Sequence, residues 1–265
     1  MKKVISIFAL SICSVFCALA QTTVASKSTI VIIPGSWSSA ADWGYVVPHL
    51  KAAGNEVIVV DLPGHGTDKT PIGSITFQGY VDAVKKAIGS RKNITLVAHS
   101  FGGVVLNQVA EDIPAQISKL VYVAAYVPKN GESLLSLATA DADSHLGKVL
   151  QIKEKEGLAV VPNEGIVDAF FADAPKQVQD YAVAHFPVEP LAPLATPVKT
   201  TEANYGKLKK VYVFTADDHT NSPTLQHKMV SENNITKTYT LPSSHTPFVS
   251  MPSVLAAIIN NEVIQ

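Results

Sequence analysis

Six short runs rich in Val and Ile recur through the 265-residue chain, at 30–33, 56–60, 94–98, 120–125, 210–214 and 236–241. Most are apolar throughout rather than alternating, the pattern of parallel strands covered on both faces. Amphipathic stretches at 40–53, 77–88, 102–111, 223–233 and 252–261 lie between and after them. Strand and helix in repeated alternation predict an α/β fold: a mostly parallel open sheet of about six strands with helices on both faces.

The alternation breaks once. From about 129 to 208 no strong strand interrupts a segment rich in Ala, Leu and Pro. A structureless loop of that length does not fit a compact domain, so a largely helical cap inserted into the sheet fold is expected. The sheet pattern resumes at Lys209, which favours a cap over a second independent domain.

At the N-terminus, Lys2 and Lys3 precede an apolar run ending in Ala18-Leu19-Ala20. This predicts a signal peptide over 1–20 with cleavage before Gln21, hence a protein exported to the periplasm or medium and no membrane partner after cleavage. Both cysteines, Cys13 and Cys17, lie in that segment, so the rest of the chain can form neither disulfides nor thiolate metal sites. Residues 21–265 carry a formal charge of −3 with no basic cluster, which argues against a nucleic-acid partner. No sequence feature specifies an oligomeric state.

The chemistry concentrates at Ile94-Thr-Leu-Val-Ala-His-Ser-Phe-Gly-Gly103, where a buried strand runs directly into a helix. Ser100 is flanked by Ala98 and Gly102, close to the nucleophile elbow Gly-x-Ser-x-Gly, in which small neighbours let strand and helix approach across a strained turn. A serine that merely capped the helix would leave Ala98, Gly102 and Gly103 unexplained as a set.

A serine nucleophile needs an imidazole to take its proton and a carboxylate to orient that imidazole. Candidates follow two later strands, in Ala216-Asp-Asp-His219 and Ser243-Ser-His245-Thr-Pro-Phe248. His245 is the expected base, while Asp217 and Asp218 compete as its partner, since only one can face the ring. The other histidines are read as packed, structural or surface groups. Oxyanion donors are expected from the N–H of Phe101 and, in the glycine turn Pro34-Gly-Ser-Trp37, of Ser36. No metal is expected: there is no His-Glu-x-x-His pattern, and Asp217-Asp218-His219 lies in one turn without distant partners. No cofactor is called for.

Together these motifs resemble the α/β-hydrolases of the hydroxynitrile lyase and plant methylesterase type, with their bacterial esterase relatives. The likeness spans nearly the whole chain after the leader. It rests on Pro34-Gly-Ser-Trp37 with Trp43, Asp61-Leu-Pro-Gly-His-Gly66, His99-Ser-Phe-Gly-Gly103, Leu120-Val-Tyr-Val-Ala-Ala-Tyr126, Phe170-Phe171, Asp218 and His245-Thr-Pro-Phe248. The resemblance implies an α/β-hydrolase fold, the triad Ser100, His245 and Asp218, and Ser36 with Phe101 as the oxyanion hole. Pro34 departs from the histidine usual in the family. The lyases resembled place threonine at the position of Gly35 and lysine directly after the catalytic histidine, whereas this chain has Gly35 and Thr246.

The expected function is therefore cleavage of small or medium hydrophobic carboxylic esters through an acyl-enzyme. The expected pocket comprises Gly35, Trp37, Leu137, Phe170, Phe171 and Phe248. A carbon–carbon lyase acting on cyanohydrins and a non-catalytic ligand binder are the alternatives.

Overall fold

The structure, a computed structural model, describes residues 28–264; the expected signal peptide lies outside them. Nine strands occur among the described residues: β1 (Thr29–Ile33), β2 (Glu56–Val59), β3 (Ile94–His99), β4 (Ile117–Val123), β5 (Gln151–Lys153), β6 (Leu158–Val160), β7 (Glu189–Pro190), β8 (Lys210–Thr215) and β9 (Lys237–Leu241). Six of them form a wholly parallel sheet in the order β2-β1-β3-β4-β8-β9.

Successive residues of a strand point to opposite faces, and both faces here are dry. Val31, Ile33, Leu96, Ala98, Leu120 and Tyr122 pack with helices Phe77–Ile88 and Gly102–Asp112. Ile30, Ile32, Val97, Val121, Val123, Val211 and Val213 pack against Trp43, Leu50, Leu255 and Ile259 on the other face. This is why the central strands read as unbroken apolar runs. The edge strands differ: β2 is half-buried, and β9 alternates exposed Thr238 and Thr240 with the more buried Lys237, Tyr239 and Leu241.

The helix expected over 40–53 is two pieces, a 3-10 helix Ala40–Tyr45 and an α-helix Val47–Ala52. Pro48 lacks an N–H and fits only in a first turn, so it starts a new helix. Between β4 and β8 the chain forms the helices Leu134–Thr139, Leu146–Val149, Asn163–Phe170, Lys176–His185 and Leu191–Ala195. It also forms an antiparallel sheet, β5-β6-β7, that the sequence pattern does not predict. Strands of two or three residues are too short to show a period of two. This segment has its own apolar cluster of Leu146, Val161, Ile166, Ala169 and Phe170, which packs on Trp37 of the sheet domain.

The closest approach of backbone to any described glycine lies just beyond β3. Ser100 takes a left-handed φ of 50°, reversing the chain into the helix that follows. A Cβ on Gly102 would stand 2.5 Å from the Ile33 carbonyl oxygen, and one on Gly103 2.2 Å from that of Tyr126. Both obstacles are backbone and cannot rotate away. Gly103→Ala is therefore expected to lower stability by about 2–3 kcal/mol in urea unfolding. Gly44→Ala, where an added Cβ meets nothing within 4 Å, should stay within about 0.5 kcal/mol of the parent.

Candidate active site

The loops that leave the C-terminal ends of β1, β3, β8 and β9 carry Ser36, Ser100, Asp218 and His245, the end of a parallel sheet where ligands bind in open α/β folds. His245 is fully buried, and its Nδ1 lies 2.8 Å from Oδ2 and 3.0 Å from Oδ1 of Asp218. The carboxylate is saturated with donors. Oδ1 accepts the N–H groups of Thr220 (2.8 Å) and Asn221 (3.0 Å), while Oδ2 accepts Thr215 Oγ1 (2.7 Å) and Gln226 Nε2 (3.1 Å). An acceptor-only carboxylate makes Nδ1 the protonated nitrogen of His245, which leaves a lone pair on Nε2. That Nε2 is buried and hydrogen-bonds to nothing among the described residues, the Ser100 hydroxyl included. Asp217, the competing acid, points outward, 3.9 Å from the His219 ring.

Two neighbours fix this arrangement. His99 Nε2 donates to the His245 carbonyl at 2.8 Å, pinning the backbone of the base to the strand that carries the serine. Burial, reinforced by the adjacent His245, holds the His99 pKa well below its ordinary value, so the strut is neutral. Gly35 closes the other side: a Cβ there would stand 2.8 Å from Ser100 Cβ and 3.0 Å from His99 Nδ1. The threonine found at this position in the lyases has no room in this backbone.

The loop after β1 exposes a feature that the sequence does not flag. Trp37 has φ 56°, and its N–H donates to Glu189 Oε2 at 2.7 Å, while its indole N–H donates to the Ala159 carbonyl at 3.3 Å. Glu189 is fully buried and also meets His65 Nε2 at 2.9 Å and the Tyr80 hydroxyl at 3.4 Å. His65 Nδ1 donates to the Pro63 carbonyl at 3.1 Å, so both ring nitrogens face acceptor groups, an arrangement that favours the imidazolium form. Burial works to lower its pKa, but the hydrogen bond and charge of Glu189 outweigh it, and the net direction is upward. A lone glutamate between prolines gave no signal of this role. Among the described residues, no acceptor is found for the N–H groups of Ser36 and Phe101.

A narrow cavity of about 30 Å³ opens onto Ser100 and Ser36, walled by Trp37, Leu134, Leu135, Ala138, Leu146 and Leu150 among others. Of the expected pocket residues, Trp37 lines it and Gly35 abuts the serine. Leu137 does not: it lies on another side of its helix and joins the main core, leaving Leu134, Leu135 and Ala138 to face the cavity. Phe248 lies beneath the site, its ring 4.9 Å from both Trp43 and His99. Phe170 packs edge-on to Trp37 and to His245, and Phe171 backs it together with Phe186, which the sequence reading missed. A larger depression of about 860 Å³ lies at the opposite end of the sheet, near the starts of β8 and β9, away from all these groups.

The expectation that His219 lacks distant partners fails. Asp168 joins it to His145, with hydrogen bonds of 2.9 and 2.8 Å. The three residues lie too far apart in the chain for a sequence motif to connect them.

The buried pair yields a pH prediction. Because the folded pKa of His65 lies above its ordinary value of 6.5, its stabilisation is complete below about pH 6.5 and fades as pH rises through the folded value. The urea midpoint should fall between pH 6 and 9. Glu189→Gln should lower stability at pH 6 by about 3 kcal/mol and flatten that pH dependence.

Residues 30–258 match the Alpha/beta hydrolase family. The chain is 29% identical over 246 residues to "Putative methylesterase 11, chloroplastic" of Arabidopsis thaliana, which covers 86% of this chain but only 62% of that protein. It is 27% identical over 227 residues to Esterase PIR7B of Oryza sativa subsp. japonica, covering 78% of this chain and 84% of the relative. Among solved structures, polyneuridine aldehyde esterase superposes with a TM-score of 0.81 at 21% identity, over 89% of this chain and 99% of that one. A pyrethroid hydrolase from Sphingobium faniae JZ-2 gives 0.78 at 22%, over 90% and 98%. With six parallel strands in this order and a family match over most of its length, the chain belongs to the alpha/beta hydrolase family.

Proposed function

We propose that this protein is a serine hydrolase that cleaves small or medium hydrophobic carboxylic esters, with Ser100 as nucleophile, His245 as general base and Asp218 as its orienting carboxylate. The observation that carries the reading is the buried His245–Asp218 pair, which leaves an unshared lone pair on Nε2 at the sheet end where Ser100 sits on its strained turn. Relatives named methylesterase and esterase support the reaction class.

In this mechanism Nε2 takes the Ser100 proton as Oγ attacks the ester carbonyl, and the carbonyl oxygen becomes an oxyanion facing the N–H groups of Ser36 and Phe101. The ester C–O bond breaks, and the imidazolium returns the proton to the leaving alcohol. Water then repeats the sequence on the acyl-enzyme and releases the acid. Asp218 stays ionised throughout. The serine and histidine close up when substrate binds, as catalytic hydrogen bonds are often long before then.

Pocket shape bears on the substrate. The walls are mainly apolar and the free space is close to that of a single water, well below the several hundred Å³ that pockets for larger ligands offer. An ester enters by displacing the wall formed by Leu134, Leu135, Ala138, Leu146 and Leu150. Thr246, where the lyases have lysine, donates its hydroxyl to the Phe170 carbonyl at 2.7 Å and so offers no cation to a departing cyanide. Export of a mature chain starting at Gln21 belongs to the same proposal, and the N-terminal sequence of the protein recovered outside the cytoplasm checks it.

The decisive experiment is a panel of p-nitrophenyl esters of increasing acyl length with an aromatic cyanohydrin beside it. Ser100→Ala and Asp218→Asn should each lower kcat/KM by about 10⁴-fold or more. A fluorophosphonate should label Ser100 in the native chain. Full activity in Ser100→Ala, or cyanide release faster than hydrolysis of every ester, would overturn the proposal.

A further inference from the structure

The cluster of His145, Asp168 and His219 stands apart from the proposed catalytic groups and is not used by them. His145 immediately precedes the helix Leu146–Val149, Asp168 lies in the helix Asn163–Phe170, and His219 follows Asp218 after β8. The two imidazoles approach with ring centroids 4.1 Å apart, and each turns its Nδ1 toward a different oxygen of the one carboxylate. One ligand atom from each residue lies within 4.8 Å of the others.

We propose that this triplet is a binding site for a divalent transition-metal ion of the zinc class. Two imidazole nitrogens and one carboxylate oxygen match zinc and its copper and nickel neighbours rather than calcium or magnesium, which prefer all-oxygen sets. Bonds of about 2.0–2.2 Å set tetrahedral ligand atoms about 3.3–3.6 Å apart, so an ion that replaces the shared protons spreads the present 2.8 and 2.9 Å nitrogen–oxygen contacts by about half an ångström. Coordination uses a lone pair on Nδ1, so the proton it now carries resides on Nε2 in the bound form. For His219 the carboxylate near this nitrogen is that of Asp217, whose Oδ1 lies 3.9 Å from Nε2, so it must approach by about 1 Å to accept the proton as carboxylates do behind many such ligands. Side-chain exposures of 42%, 53% and 28% for His145, Asp168 and His219 leave a path for the ion and a fourth position for water.

The ion would fasten two parts of the fold together. Already the N–H groups of His145 and Leu146 donate to the His219 carbonyl at 2.8 and 3.2 Å, and Ser144 Oγ donates to that of Thr220 at 2.7 Å. A metal here clamps the segment between β4 and β8 onto the loop that carries Asp218. Because it binds the folded chain and not the unfolded one, it raises stability in proportion to its occupancy.

The test is independent of hydrolysis. Full-length chain purified without a histidine tag and stripped with a chelator is titrated with zinc chloride by calorimetry, and with cobalt(II) by visible absorption. One ion per chain is expected, with a tetrahedral cobalt band and a rise in Tm of about 5–10 °C when free zinc is a hundredfold above Kd. Asp168→Asn and His145→Gln, confirmed as folded by circular dichroism without metal, should each weaken binding at least tenfold and so cut the Tm rise at that zinc concentration to about half or less. Absence of zinc binding in the parent, or binding that persists unchanged in both variants, would overturn the assignment.

Discussion

At the end of β3 the chain is forced through a gap bounded by peptide carbonyls on two sides, and the rest of the architecture is arranged around it. The oxygens of Ile33 and Tyr126 lie so near Gly102 and Gly103 that no side chain fits between helix and sheet. That closeness places the helix N-terminus at the centre of the sheet and lifts Ser100 onto a left-handed residue at its rim. Strands β1 and β4 flank β3 directly, so the same packing sets the loop of Gly35 and Ser36 on one side and the backbone of Tyr126 on the other. Loosening any of these contacts would move the serine relative to its surroundings.

A second organising element is ionic. Glu189, on a two-residue strand, reaches the Trp37 N–H beside the proposed oxyanion donor, and His65 balances its charge in the same buried space. A carboxylate alone at this depth would be expensive, and alone it would oppose the negative charge that develops on an ester oxygen. Paired with a protonated His65 it fixes the loop without leaving a net charge there. The segment between β4 and β8 thus contributes to the site from below as well as from above, through Glu189 on one side and Phe170 on the other.

Much of the fold was legible because burial on both faces writes itself into composition: strands β1, β3, β4 and β8 could be read directly from continuous Val and Ile. Ser100, Asp218 and His245 were legible for a different reason, since each follows a strand end and sits in a short motif that chemistry restricts. Choosing Asp218 over Asp217 needed the resemblance, because adjacent residues in a turn differ only in direction. What escaped notice has no local signature. Glu189 and His65 lie 124 residues apart, and His145, Asp168 and His219 come from three separate loops or helices. Leu137 was misplaced because its helix is six residues long and apolar at Leu134, Leu135, Leu137 and Ala138 alike, so no periodicity distinguishes its sides.

The histidine loop is itself stitched to the end of the helix Asn163–Phe170 and to the turn that follows it. Thr246 Oγ1 donates to the Phe170 carbonyl, and the Ser244 N–H donates to Asp173 at 3.0 Å, one residue on either side of the ring that bears the free lone pair. Displacing that segment would therefore pull on both flanks of the imidazole. In the mechanism proposed above, the alignment of His245 with Ser100 is thereby tied to the position of the segment that covers them.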